Sequence, residues 1–395
     1  MITYKLTDDK TIVKEDSKMI YLDHAATTKI DKQVLDVFTS ASEQFFGNES
    51  SLHDIGTKAS EALEEARTVL ANSLQAELEE VVFTSGGTES NQLAIMTLLN
   101  SVKKKGNHLI TTEIEHSSIF NLFKKLEGLG YEVTYLKTDE QGLISLEEIR
   151  KNIRKDTILA SIQHVNSEIG VKQNLKEIGE LLYKENIFFH SDLVQSYGKI
   201  ALDVNDLNLT SGSISSHKIH GPKGIGLVFL SKEVSYQVNY PGTTHENGFR
   251  PGTVDVPSAL AFAYAGQIAM DNLEKEQISA KNLRQLLKQR LESYKDRITI
   301  HSHPTNQADQ IIGLSLQGLQ GQYVMLECNR YDIAISTGSA CQIGQTLPSR
   351  MMLAMGKTDI EAKELIRISM GRHTTAREIN HLADVLIKMS DERYK

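Results

Sequence analysis

The chain has 395 residues, 40% of them hydrophobic and 24% charged, the make-up of an ordinary globular protein. A formal net charge of −8 disfavours a general nucleic-acid binder, whose affinity rests on clustered Lys and Arg. Two cysteines, no apolar run of membrane-spanning length and no secretory leader point to a reducing, cytoplasmic setting.

In chain order, residues 1–18 (MITYKLTDDKTIVKEDSK) are polar and read as an N-terminal extension, open between irregular chain and a small hairpin at Asp8-Asp9. From MIYLDHAATT onward the pattern changes. HDIGTKASEALEEARTVLANSL and NLKEIGELLYKEN have helical periodicity. Between such stretches lie short apolar runs: EVVFT, NHLITT, TILASIQHV, NIFFHSD and GIGLVFL. Their length, their Ile/Val content and the polar residues bounding them predict buried strands of a mostly parallel sheet. The alternation predicts one large α/β domain over residues 19–265. IAMDNLEKEQISAKNLRQLLKQRLESYKD reads as one long helix leading away from it. RITIHSH, IIGLSLQG, DIAIST and further helical patterns then predict a smaller α+β domain over 266–395.

Ligands of open α/β sheets bind beyond the carboxyl ends of the strands, so the turns there are where chemistry is expected. VVFT is followed by SGGTES and a helix, where backbone N–H groups and Thr88 can face an anion. NIFFHS is followed by Asp192 and Gln195, an acid and an amide at a strand end. SGSISSHKIHGPKGIG places Lys218 beside Ser215, Ser216 and His217. A lysine in packed surroundings can serve as an amine nucleophile. His217 and His220 have no third ligand nearby, so no metal is expected. An anion cradle, a carboxylate and a lysine together suit pyridoxal 5′-phosphate (PLP), which needs a phosphate site, an acid at its pyridine nitrogen and an amine for its aldehyde.

These residues stand in motifs that resemble a known family. YLDHAATT, FTSGGTESN, TEIEHSSI, HVNSEIG, SDLVQS, SHKIHGPKGIG, RPGT, STGSAC and IRISMGRHTT occur in the family's order from Tyr21 to Thr375. The set resembles the cysteine desulfurases of the NifS/IscS class, among the fold-type I PLP enzymes. The resemblance implies that Lys218 carries the cofactor as a Schiff base and moves protons at the substrate Cα. It implies that Asp192 pairs with the pyridinium and Gln195 with the ring hydroxyl. Gly87, Thr88, Ser215 and His217 would hold the phosphate. Thr253 would reach the partner's phosphate in a homodimer, and His116 would stack on the ring and assist proton transfer. Arg367 would clamp the substrate carboxylate, with Arg372 as the nearby second choice. Cys341, in STGSAC, would be the thiolate that takes sulfur from L-cysteine, leaving alanine and an enzyme persulfide. A Gly/Ser/Ala stretch gives that thiol access. Cys328, in MLECNRYD, is assigned no role.

The sequence departs from the family where HVNNEIG is usual: Ser167 replaces an asparagine expected to contact cofactor or substrate. FGNESSLHDIG, GQYVMLECNR and ISTGSACQIGQ look most like the NifS-type enzymes of Gram-positive bacteria associated with NAD biosynthesis. That implies a sulfur-acceptor protein, such as quinolinate synthase with its iron–sulfur cluster, or else a thiolation enzyme. A selenocysteine lyase or another PLP-dependent C–S lyase is the alternative reading. Cys341 separates them from the desulfurase, because elimination requires no enzyme thiol.

Overall fold

The computed structural model describes residues 19–101, 106–237, 240–243, 245–338 and 347–394. Thirteen strands occur among them. They are β1 (Ile20–Tyr21), β2 (Val81–Thr84), β3 (His108–Thr112), β4 (Glu132–Leu136), β5 (Thr157–Ser161), β6 (Phe188–Asp192) and β7 (Ser211–Ser215), then β8 (Gly226–Leu230), β9 (Ile298–His301), β10 (Ile311–Leu316), β11 (Ile333–Ala334), β12 (Ser336–Thr337) and β13 (Leu365–Ser369). The apolar runs became one seven-stranded sheet in the order β2-β8-β7-β6-β5-β3-β4, parallel except for β8, which is antiparallel to both neighbours.

Both faces of this sheet are covered, which is why its strands read as continuous apolar runs rather than alternating ones. Successive residues still serve opposite faces. In β3, Ile110 joins the core shared with Leu63, Leu70, Ile178 and Phe262, while Leu109 joins Ile95, Ile119 and Phe123 on the other side. The first face therefore rests on helices α1 (Lys32–Gln44), α2 (Asp54–Leu74), α6 (Leu175–Lys184) and α7 (Val256–Asp271), and the second on α3 (Gly87–Ser101) and α4 (Ser117–Gly128). The short α5 (Leu146–Asn152) lies between β4 and β5.

A second, four-stranded antiparallel sheet runs β12-β13-β10-β9. Its core gathers Ile312, Leu314, Ile366 and Ile368 with residues of α8 (Leu273–Leu291), α9 (Gly321–Arg330) and α12 (Ala376–Arg393). Two one-turn helices, α10 (Arg350–Ala354) and α11 (Asp359–Lys363), precede β13.

Two features differ from the sequence expectation. The long helix is two helices, broken at Asn272, whose side-chain Nδ2 donates to the Ile268 carbonyl at 2.8 Å. An amide that bonds the preceding turn competes with helix continuation. Residues 20–22, counted with the large domain over 19–265, belong to the smaller body: Ile20 and Tyr21 pair in parallel with Ile333 and Ala334, and Leu22 packs in the second core. The DHAATT segment thereby leaves the smaller body and crosses to the larger one over the carboxyl ends of its strands. Among the described residues, no helix is long and apolar enough to cross a membrane.

Candidate active site

A cavity of about 320 Å³ lies at those strand ends. Gly87, Thr88, His116, Ser167, Asp192, Gln195, Ser215, His217, Lys218 and Arg367 all line it, with contributions from both bodies. Thr253 does not line it within the single chain; it lies exposed, 3.5 Å from Asn48 Nδ2. Cys341 falls outside the described residues.

At one end, the fifteen-residue α3 begins at Gly87. Its first-turn N–H groups and its dipole suit an anion. Gly86 has φ +142°, and a Cβ at Gly226 would meet its Cα at 2.7 Å and the Ile214 carbonyl at 2.5 Å. Only glycines let β8 approach this turn so closely. Ser215 Oγ is buried here without a partner among the described residues, about 3.6 Å from where a Gly86 Cβ would stand. Burial pushes the His217 imidazole down to about 4, with Lys218 and Lys223 adding to it. The ring is therefore neutral at pH 7, with Nδ1 3.0 Å from Thr27 Oγ1. An orphaned hydroxyl, a helix N-terminus and a neutral imidazole make a donor set that fits a phosphate.

In the middle, Asp192 closes β6 and projects into the cavity. Its Oδ1 accepts the Val194 N–H and its Oδ2 accepts Asn91 Nδ2, both at 2.9 Å. Asn91 was not singled out from the sequence, although it sits one helical turn beyond Gly87 on the same face of α3. It also donates to Ser118 Oγ (2.9 Å), while its Oδ1 faces His190 Nε2 at 3.1 Å. Burial drives His190 down to about 3, so it is neutral, and it donates to Asn91. The Asp192 carboxylate is thus oriented by a buried chain of His190 and Asn91. His116 is the N-cap of α4: its Nδ1 accepts the Ser118 N–H at 3.2 Å, so its Nε2 is the nitrogen that remains for a ligand. It is a capping histidine and a cavity wall at once.

Lys218 follows β7 in a short 3₁₀ turn. Its Nζ donates to the carbonyls of Ala25 and Ala26, each at 2.6 Å. The AATT segment is held over it, because Thr28 donates through both N–H and Oγ1 to the His217 carbonyl. Gln195 Nε2 donates to the same Ala25 carbonyl at 2.9 Å.

At the other end, Arg367 projects from β13 with 5% of its surface exposed. Its Nη2 donates to Asp23 Oδ1 at 2.7 Å and its Nη1 to the Ser167 carbonyl at 3.2 Å. Among the described residues, Nε is buried without a partner. A guanidinium with an unmet donor fits a carboxylate ligand. Arg372 is engaged elsewhere, on Glu276 at 2.5 Å and Asp31 at 3.0 Å. Asn166 turns away from the cavity: its Oδ1 accepts the N–H groups of Glu168 and Ile169. Ser167 lines the cavity where the longer asparagine is usual.

Next to His116, Glu115 is buried with Oε1 accepting from Thr112 Oγ1 (2.9 Å) and the Gln163 N–H (2.8 Å), and Oε2 without a partner among the described residues. Burial, with the Asp192 charge adding, pushes its carboxyl up to about 8. The proton it keeps between the ordinary glutamate range and pH 8 is one the unfolded chain has lost, so this contribution to stability declines as pH rises through that window. A Glu115→Gln variant should therefore lose less stability than the wild type between pH 5 and pH 8, by an amount on the order of a few kcal/mol. Urea unfolding of both proteins at the two pH values measures it. Parallel curves would show that Glu115 is ionised in the folded protein.

Cys328 contrasts with all of these. It is fully buried in the second core, and burial pushes its thiol up to about 12.

Comparison with known proteins matches this geometry to a family. The family model "Aminotransferase class-V" matches residues 20–382. The chain is 46% identical to a protein of Bacillus subtilis (strain 168) that carries the name NifS, over 92% of this chain and 93% of that one. It is 36% identical to cysteine desulfurase IscS of Clostridium botulinum (strain Kyoto / Type A2), over 95% of this chain and 96% of that one. A solved NifS-like protein superposes with a TM-score of 0.87 at 29% identity, covering 95% of this chain and all of that one. The chain belongs to the aminotransferase class-V family, in the branch that holds the NifS/IscS cysteine desulfurases.

Proposed function

We propose that the protein is a PLP-dependent cysteine desulfurase that moves the sulfur of L-cysteine onto Cys341 and releases L-alanine. The observation that carries the reading is one cavity presenting the Lys218 amine, the Asp192 carboxylate, an anion cradle and a guanidinium with an unmet N–H. When bound, PLP supplies the electron sink that weakens the bonds at the substrate Cα. Gly87, Thr88, Ser215 and His217 hold its phosphate, Asp192 its ring nitrogen, Gln195 its ring oxygen and Lys218 its aldehyde carbon.

The chain's own groups do the rest. Arg367 fixes the substrate carboxylate, which orients the Cα toward the Lys218 Nζ. Lys218 would carry protons at that carbon. His116 presents Nε2 for proton exchange near the substrate sulfur. The Cys341 thiolate attacks the substrate thiol. Cysteine plus the enzyme thiol become alanine plus an enzyme persulfide, so atoms and electrons balance without an outside oxidant. The persulfide sulfur then passes to an acceptor protein for iron–sulfur assembly or thiolation. A homodimer completes each site through the partner subunit's Thr253, and an active monomer in sedimentation would rule that arrangement out.

The test is direct. Protein supplied with PLP should show a visible band that L-cysteine alters, and alanine should appear in step with sulfide once a reductant is added. Pyruvate in place of alanine would mark a lyase.

Within this reading, Arg367→Ala should raise the KM for cysteine roughly 30- to 100-fold, the loss of a charge-assisted carboxylate contact. Affinity for PLP should change little, because the bonds of Arg367 run to Asp23 and the Ser167 carbonyl and not to the residues of the phosphate cradle. Arg372→Ala should move the KM less than about threefold. Steady-state kinetics on both variants decide between the two arginines, and the reverse ranking would reassign the carboxylate site.

A further inference from the structure

Lys199 is a second lysine at this site, and the activity above does not use it. It follows the SDLVQSYG turn after β6, and its Nζ donates to Gln195 Oε1 at 3.2 Å. Gln195 lies 6% exposed, and its Nε2 donates to the Ala25 carbonyl that also receives Lys218 Nζ. The orientation of the Gln195 amide is thereby specified twice. A carbonyl can only accept, so the nitrogen must face Ala25; an amine donor at the other side requires the oxygen there. The second N–H of that amide is left for the occupant of the cavity, which Gln195 lines.

Lys199 does not line the larger cavity. It and Lys218 both line a smaller one, of about 60 Å³, together with His24, His220, Glu276 and Arg372. Gln277 Nε2 donates to the Lys199 carbonyl at 2.9 Å, tying the residue to α8. The charged and titratable groups around its ammonium are Lys218, Glu276 and Arg367, with His24, His217 and His220 within range of its field. Burial, then the Lys218 charge, bring it down to about 7. An amine keeps N–H donors in either protonation state, so the bond to Gln195 persists across this range.

We propose that Lys199 is a positioning residue that locks the Gln195 amide with its N–H edge toward the cofactor's ring oxygen. The inference rests on the PLP reading above. A fixed donor at that oxygen stabilises its negative charge and so opposes protonation of the bound chromophore. Without Lys199 only the Ala25 carbonyl specifies the amide, and Gln195 presents its own carbonyl there for a larger share of the time.

The experiment is a pH titration of the visible absorption of PLP-loaded protein. It is paired with the PLP dissociation constant and run on wild type, Lys199→Met, Lys199→Arg, Gln195→Leu and the Lys199→Met/Gln195→Leu double variant. Lys199→Met should raise the midpoint by about one pH unit, while Lys199→Arg stays within ~0.3 units. In the Gln195→Leu background, Lys199→Met should add less than half of that shift, because its route is through Gln195. An unmoved midpoint in Lys199→Met overturns the proposal. So does an equal shift in both backgrounds, which marks a through-space charge that bypasses Gln195. If Lys199→Met does not fold, Lys199→Gln takes its place. That variant keeps a donor without the charge and should stay within ~0.3 units of wild type, and a full-unit shift overturns the proposal. A wild-type protein that takes up no PLP overturns the cofactor reading itself and is recognised before any variant is compared.

Discussion

A Cys341→Ala protein is expected to fold, take up PLP and bind L-cysteine, yet to lose at least about a thousandfold in sulfide release, about 4 kcal/mol of barrier. The described groups of the cavity have bonds of their own. Asp192 is held by Asn91 of α3, Lys218 by the carbonyls of Ala25 and Ala26, and Arg367 by Asp23. What is lost is the nucleophile, and the second cysteine cannot supply it. Cys328 is fully buried between α9 and the second sheet, with its thiol pushed up to about 12, so thiolate is all but absent at neutral pH. Cys328→Ala should keep full sulfide release. The pair, assayed with a reductant and equal PLP loading, separates transfer to an enzyme thiol from elimination. A Cys341→Ala protein as active as wild type would mean that sulfur leaves without enzyme nucleophilic attack.

Lys218→Ala should cost more. Turnover should fall roughly 10⁴-fold or further, since one residue supplies both the covalent attachment and the proton transfer at Cα. The characteristic visible band of the loaded protein should vanish with it. The geometry gives the reason. The Lys218 Nζ is aimed by two alanine carbonyls at 2.6 Å into the space that Asp192 and Gln195 also line. Lys199 is committed to Gln195 and opens on the other cavity, while Lys223 lies past the Gly221-Pro222 turn. A surviving band in Lys218→Ala would show that one of these two amines can reach the aldehyde.

How much of this could be read from the chain depends on the range over which each signal acts. The strand-turn-helix units were legible because burial on both faces writes itself locally, as in VVFT followed by SGGTES, and because Asp192 stands at the end of an apolar run. The sheet's mostly parallel order followed from the same alternation. The partners of those residues were less legible. The ion pair between Asp23 and Arg367 joins positions 344 apart, and no periodicity reports it. Asn91 carried a weak sign, its spacing from Gly87, but its link to His190 appears only when α3 lies against β6. The pairing of Ile20–Tyr21 with Ile333–Ala334 involves two residues per strand, too few to show a pattern. The break at Asn272 was written as one asparagine inside a helical stretch, a residue helices tolerate, and only its bond back to Ile268 ends the helix. The roles of Lys218 and Cys341 came from the family resemblance; the structure adds the surroundings that the first requires.

Transfer of sulfur from L-cysteine to Cys341 can be detected directly. Protein loaded with PLP, treated once with L-cysteine and alkylated at once, can be digested and read by peptide mass spectrometry. One added sulfur is expected on the peptide that contains Cys341 and none on the peptide that contains Cys328. Sulfur on Cys328, or cysteine consumed with neither peptide modified, would contradict it.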